Sequence, residues 1–176
     1  MNQSLSFKTR LYLTGSVAIA IWSLLLWNHF HGGIPSHHLL ARKDLPEFSN
    51  AWGGLLLPLL TWFLLYRIKI RAEKNDSKTK IIYGFLGALA FGILLSTSFT
   101  LGFKIEQYML MSVFPLALLL PIYRSEYLLG FVLGMTFTFG GVLPTVIGSI
   151  LILISAVLYL LVRRGILYVI TRIVVK

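Results

Sequence analysis

Long apolar runs alternate with short, polar, turn-rich segments along the whole chain. Each run is continuously apolar rather than alternating between apolar and polar residues, which favours helices over membrane-spanning strands. Several windows reach the roughly 20 apolar residues that a helix needs to cross a hydrocarbon core. The pattern predicts an all-α integral membrane protein, a polytopic bundle of about six transmembrane helices in a single domain over residues 1–176. The predicted helices cover residues 9–28, 51–70, 81–103, 107–123, 127–141 and 144–162.

Some boundaries of these helices are less regular than the others. Pro115 and Pro121 fall inside the fourth run and predict kinks in that helix. Residues 127–162 form either a helical hairpin bent around Gly140–Pro144 or one long broken helix. Residues 165–176 mix apolar and basic side chains, which predicts a tail helix lying in the membrane interface. The first run is expected to be retained, because no small-residue cleavage site of a signal peptide follows it.

Composition supports the membrane class and removes several kinds of chemistry. Hydrophobic residues make up 57% of the chain and charged residues 12%, against a charged share of roughly 25% in soluble domains. Because the chain contains no cysteine, disulfides, thiolate nucleophiles and Cys-based metal sites are excluded. The formal net charge is +10, but the basic residues flank apolar runs, where they contact anionic lipid. Nucleic acid is therefore not expected as a partner.

The basic residues also predict which way the helices run. With six helices and the N-terminus inside, all but three of the 16 Lys and Arg residues fall on the cytoplasmic side. This is the distribution that the positive-inside rule describes. We therefore expect both termini in the cytoplasm, a basic cytoplasmic loop over residues 67–80, and a location in a bacterial cytoplasmic (inner) membrane. The three exceptions are Arg42, Lys43 and Lys104.

A predicted extracytoplasmic loop over residues 29–50 carries every histidine of the chain. In an extended chain His29 and His31 point the same way, and a turn over residues 32–35 brings His37 or His38 back toward them. Three imidazole nitrogens and a water form a recognised site for a divalent metal such as Zn or Cu. The alternative is an interfacial loop whose polar side chains bond only to lipid headgroups and water.

Two acidic residues of this loop are candidates for catalysis. Ser36 has the side chain of an N-cap and predicts a short helix from His37 to about Asp44. On that helix His37 and Asp44 stand about 10.5 Å apart along the axis, so they cannot bind one ion together. Asp44 either orients a histidine without binding the ion or is a lone surface acid. His37 and His38 point about 100° apart, so only one of them is a ligand. Glu47 is the candidate general base on a metal-bound water.

Polar residues near the outer ends of the helices are candidates for lining a cavity beneath this loop. Asn50 ends the loop, and Ser96, Ser98 and Thr100 end the third helix. The alternative is that each hydroxyl bonds to the carbonyl oxygen four residues earlier and needs no cavity. No ionisable side chain falls in the middle of a predicted span, which argues against proton- or sodium-coupled transport.

Glycines recur with similar spacing in two of the predicted helices. Residues 84–92, GFLGALAFG, resemble residues 130–137, GFVLGMTF, with a one-residue slip. Because both helices are expected to run in the same direction, a parallel repeat of helical hairpins is one interpretation. Close packing of the helices through small residues is the other.

The sequence leaves three functions open. The first is a membrane-embedded site at the outer face, with a bound metal or as an enzyme, that acts on a lipid or a small apolar molecule. This function requires the histidines to converge over a cavity rimmed by Asp44, Glu47 and Asn50. The second is a carrier or channel without ion coupling, which requires a polar path past Ser96 and Thr136.

The third function is that of a non-catalytic subunit or assembly factor in a larger membrane complex or a homo-oligomer. It predicts a glycine-rich helix face left exposed for a partner, for example along Gly84, Gly87 and Gly92.

Overall fold

A computed structural model describes the backbone of residues 6–31, 33, 36–38, 47–74 and 77–174, with side chains described over 6–31, 33, 49–74, 77–166, 168 and 171. Each predicted helix has a counterpart in it, so the helical fold class is confirmed. The helices are α1 Phe7–Phe30, α2 Gly53–Glu73, α3 Lys78–Leu101, α4 Glu106–Leu119, α5 Ser125–Phe139, α6 Val142–Val157 and α7 Arg163–Val174. The remaining elements are the strands β1 Ser36–His38 and β2 Glu47–Ser49, a 3-10 turn Asn50–Trp52 and a π-helical segment Leu158–Val162.

Among the residues that the structure describes, four helical stretches are long and apolar enough to cross a membrane. By contrast, α4 and α5 contain 14 and 15 residues, about 21 Å and 22 Å at 1.5 Å per residue. A bilayer core is about 30 Å thick. The long helices indicate a membrane protein, while the number of spans and the orientation of the termini stay predictions. The four stretches are Phe7–Phe30, Asn50–Glu73, Lys78–Leu101 and Val142–Ile166.

Two boundaries that the sequence left irregular are explained by backbone conformation. Pro115 lies inside α4, whereas Pro121 lies beyond its end, so the kink predicted at Pro121 is wrong. Leu120 is extended, with φ −114° and ψ 144°, because a proline crowds the α conformation of the residue before it. Residues 127–162 contain two helices, since Gly140 between them adopts φ 73° and ψ −168°. That region is essentially confined to glycine.

The tail continues the last helix instead of starting a new one. The π-helical segment follows α6 directly and leads into α7, whose bounds are close to the predicted 165–176. The expected position of this tail in the membrane interface stays a prediction.

The first histidines lie on a helix rather than on an extended chain. His29 belongs to the last turn of α1, and His31 is its C-cap. Residues two apart on a helix are about 200° apart around its axis. The extended geometry that was expected to align His29 with His31 is therefore wrong, because α1 ends at Phe30, two residues beyond the predicted end at residue 28.

Within the loop predicted over residues 29–50, the strands β1 and β2 pair as a small antiparallel ribbon. Ser36 lies opposite Ser49, His37 opposite Phe48, and His38 opposite Glu47. The helix predicted to begin at His37 is therefore wrong, because α1 and α2 are antiparallel neighbours that bring the two ends of the loop together. Backbone groups of the two strands then pair with each other. The expected end of that helix, Asp44, lies outside the described residues.

The closest packing in the bundle joins α3 and α5, which run parallel. A Cβ built on Gly134 would lie 2.5 Å from the Leu89 carbonyl oxygen, and one on Gly92 would lie 2.7 Å from that of Phe131. A Cβ on Gly130 would collide with the Phe85 carbonyl oxygen. The two backbones touch where side chains are missing, which confirms the packing interpretation of the repeated glycines.

The contact between α3 and α5 also tests the prediction that α3 leaves a glycine-rich face exposed for a partner. Gly84 and Gly92 are buried against α5, while Gly87 is exposed. The expected continuous exposed face is therefore wrong, because two of its three glycines already serve the α3–α5 contact.

Contacts between helices define two ends of the bundle. At the first, Arg10 of α1 lies with its guanidinium carbon 4.1 Å from the Trp62 ring centroid, and Arg71 of α2 pairs with Glu126 of α5. We call this the basic end. At the other, the histidine end, the Trp22 indole donates to the Gly54 carbonyl oxygen at 3.1 Å. The separation agrees with alternating helix directions.

Candidate functional site

A cavity of about 680 Å³ lies between α3, α4, α5 and α6 on the side of the basic end. Its α3 wall extends from Lys80 to Phe91, about 16 Å along the helix axis. Lys80, Arg124 and Glu126 line the outer part, which we call the rim. Because the rim is charged and the walls beyond it are apolar, the cavity is complementary to an amphiphilic molecule, which has a polar end and an apolar part. The apolar walls include Ala88, Phe91, Val113, Leu116, Phe131 and Leu151.

Small residues and the position of α4 keep this space open. Gly87 and Gly148 both line the cavity. A Cβ on Gly148 would lie 2.7 Å from the Leu128 side chain, so that wall is tightly packed behind the glycine. α4 meets each of its neighbours α3, α6 and the π-helical segment only sparsely, in contrast to the close contact between α3 and α5. Gly87 and Tyr83 of α3 line the cavity and are exposed, so the cavity opens sideways on the surface of the bundle beside α3.

A buried ion pair stands at the rim. Arg71 of α2 donates a hydrogen bond to Glu126 Oε1, and Glu126 is only 1% exposed. Its other oxygen, Oε2, is buried and has no hydrogen-bond partner among the described residues. A buried charge requires both a counter-ion and hydrogen bonds to offset its desolvation. Arg71 supplies the counter-ion and a hydrogen bond to one oxygen, while the second, buried oxygen lacks a donor among the described residues.

Aromatic side chains complete the rim on the side of α6. Tyr159 lines the cavity from the π-helical segment, and its ring centroid is 5.5 Å from that of Tyr123. The Arg163 guanidinium carbon lies 4.6 Å from the Tyr159 ring, within cation–π distance. The Arg163 N–H bonds to the Leu158 carbonyl oxygen five residues earlier. A π-helical turn of this kind frequently marks a functional position.

The hydroxyls predicted to line a cavity or a polar path do not line the cavity at the basic end, and two of them bond to their own helix. Thr100 Oγ1 donates to the Ser96 carbonyl oxygen at 2.9 Å, and Thr136 Oγ1 donates to that of Val132 at 2.7 Å. Ser98 Oγ donates to the Phe103 carbonyl oxygen at 3.4 Å. Helical back-bonding is thus confirmed for the two threonines. None of these residues lines the cavity at the basic end, so they provide no support for a polar transport path.

Asn50 acts in the packing of helix ends. It is buried and abuts Gly140, where a Cβ would collide with the Asn50 side chain. A Cβ on Gly53 would lie 3.0 Å from the backbone of Gly141. Asn50 therefore joins the start of α2 to the turn between α5 and α6, and its predicted place at the rim of a histidine site stays a prediction.

At the histidine end, the two described imidazoles contact their own helix. The His31 ring stacks on Trp27 with centroids 3.8 Å apart, and its Nδ1 lies 2.9 Å from the Trp27 carbonyl oxygen. His29 meets the edge of Phe30 at 5.3 Å between ring centroids. His29 also borders a groove of about 570 Å³ between α1 and α2. Within the described part of the chain, no three His, Asp or Glu residues come together for a metal.

Several predicted site residues lie outside the described structure. They are Asp44 and the side chains of His37, His38 and Glu47. The metal site and the catalytic roles of Asp44 and Glu47 therefore stay predictions.

The charged rim was missed at the sequence level because Glu126 was assigned to a turn. A signal for its burial is present in the spacing: Glu126, Gly130 and Gly134 are four residues apart and share one helix face. An acid on the face that packs against a neighbouring helix is buried with it, and a buried acid requires a cation.

Comparison of the chain with family models, with curated proteins and with solved structures gives no match.

Proposed function

We propose that the protein binds a phospholipid-like amphiphile in the cavity at the basic end, as a six-helix membrane protein with both termini in the cytoplasm. The observation that carries this proposal is a charged rim joined to an apolar cavity that opens sideways beside the exposed Tyr83 and Gly87 of α3. A binding site with this shape takes its ligand from the bilayer rather than from water.

The rim supplies the groups that recognise a phosphate. Lys80 and Arg124 both line it, and charge-assisted hydrogen bonds from such cations are the strong ones in proteins. The first turn of α5 begins at Ser125, beside Arg124. The positive end of a helix dipole lies at its N-terminus and favours an anion there. A phosphate is therefore the group that we place at the rim.

The apolar part supplies the space for a hydrocarbon chain. Its walls are aliphatic and aromatic side chains from four helices, and burying a methylene group stabilises binding by about 0.8 kcal/mol. The cavity volume of about 680 Å³ falls within the roughly 300–1,000 Å³ typical of ligand pockets. A single-chain portion of a lipid fits this description better than a soluble polar metabolite does.

The topology proposed for the bundle is supported by its internal contacts. The parallel α3 and α5 are the third and fifth helices, as six alternating spans require. The positive-inside rule then places the basic end in the cytoplasm, so the cavity opens to the inner leaflet. Anionic lipids of that leaflet are attracted to basic protein surfaces.

Filling the cavity should remove the ligand without damaging the fold, and Gly87→Leu provides this test. Gly87 lines the cavity, and a Cβ on it would meet no atom within 4 Å. We expect Gly87→Leu to retain at least about tenfold less phospholipid than the wild type, equivalent to about 1.4 kcal/mol of binding. Native mass spectrometry of the detergent-purified protein measures the bound lipid.

Gly15→Leu is the matched control, because Gly15 of α1 also has no atom within 4 Å of a Cβ and does not line the cavity. It should retain lipid like the wild type. Equal lipid retention by all three proteins, or no specifically bound lipid in the wild type, would contradict the proposed function.

A further inference from the structure

The two oxygens of Glu126 have different surroundings. Oε1 accepts a hydrogen bond from Arg71, whereas the buried Oε2 has no partner among the described side chains and backbone. Glu126 is 1% exposed and belongs to the rim of the cavity. A buried carboxylate oxygen without a hydrogen bond is costly. Because Glu126 lines the cavity, a ligand bound there can supply the missing donor.

The neighbouring charges restrict what that group can be. Lys80 and Arg124 are cations of the same rim, and Arg71 already occupies one side of Glu126. The carboxylate of Glu126 would repel a ligand phosphate placed beside it. A hydrogen-bond donor of the same ligand, placed between the phosphate and the carboxylate, would instead be attracted to the carboxylate. The favourable order is therefore phosphate toward Lys80 and Arg124 and a hydrogen-bond donor toward Glu126.

We propose that the ligand is an aminophospholipid, whose phosphate lies at Lys80 and Arg124 and whose primary ammonium donates to Glu126 Oε2. This inference rests on the proposed function and names the lipid class of the same site. An ammonium is cationic and carries three N–H donors, so its bond to a carboxylate is charge-assisted. A trimethylammonium headgroup has the same charge and no N–H, and it cannot make this bond.

Phosphatidylethanolamine and phosphatidylcholine with identical acyl chains test the inference as a matched pair. Delipidated wild-type protein is exposed to an equimolar mixture, and native mass spectrometry measures the ratio of the two bound lipids. We expect phosphatidylethanolamine to be retained at least about tenfold over phosphatidylcholine, the effect of one charge-assisted hydrogen bond. Equal retention of the two lipids would overturn the inference.

Glu126→Gln tests whether Glu126 is the residue that distinguishes phosphatidylethanolamine from phosphatidylcholine. The amide keeps an acceptor oxygen but no charge, so its hydrogen bond from the ammonium is no longer charge-assisted. The preference should therefore fall to within about threefold while phospholipid is still bound. Gly15→Leu should keep the wild-type preference. An unchanged preference in a folded Glu126→Gln variant would assign the selectivity to another group. If that variant does not fold, the wild-type comparison of the two lipids decides the matter.

The outcomes separate this inference from the proposed function. Equal binding of both lipids, abolished by Gly87→Leu, would keep the lipid cavity and discard the role of Glu126. Binding of neither lipid by the wild type would contradict both.

Discussion

Replacing Gly130 by alanine is expected to destabilise the bundle by about 3 kcal/mol or more. The added Cβ would collide with the Phe85 carbonyl oxygen and would lie 2.9 Å from the Leu89 backbone nitrogen. Both obstacles are backbone atoms of α3, so no side chain can rotate away, and the two helices must separate. Overpacking of a tight interior commonly costs about 1–3 kcal/mol, and rigid backbone contacts exceed that range. Equilibrium unfolding in detergent micelles measures the loss.

Gly87→Ala makes the same chemical change on the exposed side of α3. A Cβ there would meet nothing within 4 Å, and alanine is a better helix former than glycine by about 1 kcal/mol. We expect a stability equal to or slightly above that of the wild type. Similar losses for Gly87→Ala and Gly130→Ala would contradict the close α3–α5 contact, because only the second position lies in it.

Arg71→Ala is expected to cost about 3–5 kcal/mol of unfolding free energy. The substitution leaves the Glu126 carboxylate buried without its cation, and uncompensated buried charges carry penalties of this size. The matched control is Lys69→Ala, two residues earlier on α2. Lys69 Nζ lies 3.6 Å from Glu73 Oε1 in a partly exposed pair, worth less than about 1 kcal/mol.

A double variant distinguishes the loss of the attraction between Arg71 and Glu126 from the cost of leaving one charge buried without a counter-ion. Arg71→Met/Glu126→Leu removes both charges and should recover most of the stability lost in Arg71→Ala, since apolar pairs often replace buried ion pairs without cost. Because this double variant lacks the Glu126 carboxylate, it should show no preference for phosphatidylethanolamine. A double variant as unstable as Arg71→Ala would show that the penalty has another origin than the unpaired carboxylate.

The helices were predictable because each is a long apolar run, and only their ends required other information. Pro121 was expected inside the fourth helix, but the restriction it imposes on Leu120 ends α4 first. The break after α5 depends on a single conformation of Gly140, which composition alone does not distinguish from a kink. His29 was assigned to a loop because it is polar, although α1 continues through it.

The candidate site was much less predictable, because it depends on how helices meet. Histidines drew attention to one end of the chain, while the cavity arises from the distance between α4 and its neighbours at the other end. Lys80 and Arg124 were interpreted as orientation signals for the membrane, and nothing in their immediate sequence assigns them to a shared rim. The pairing of Arg71 with Glu126 joins residues 55 positions apart, which no local pattern contains.

The measurement that tests the lipid cavity most directly is photo-crosslinking of a phospholipid with a photoreactive acyl chain in reconstituted bilayers. Mass spectrometry of the digested protein then locates the labelled residues. A bound chain predicts labelling concentrated on the cavity walls, at Phe91, Val113 and Phe131, and strongly reduced in Gly87→Leu. Labelling confined to the outward-facing side chains Leu94, Phe137 and Leu153, and unchanged by Gly87→Leu, would contradict a lipid-binding cavity.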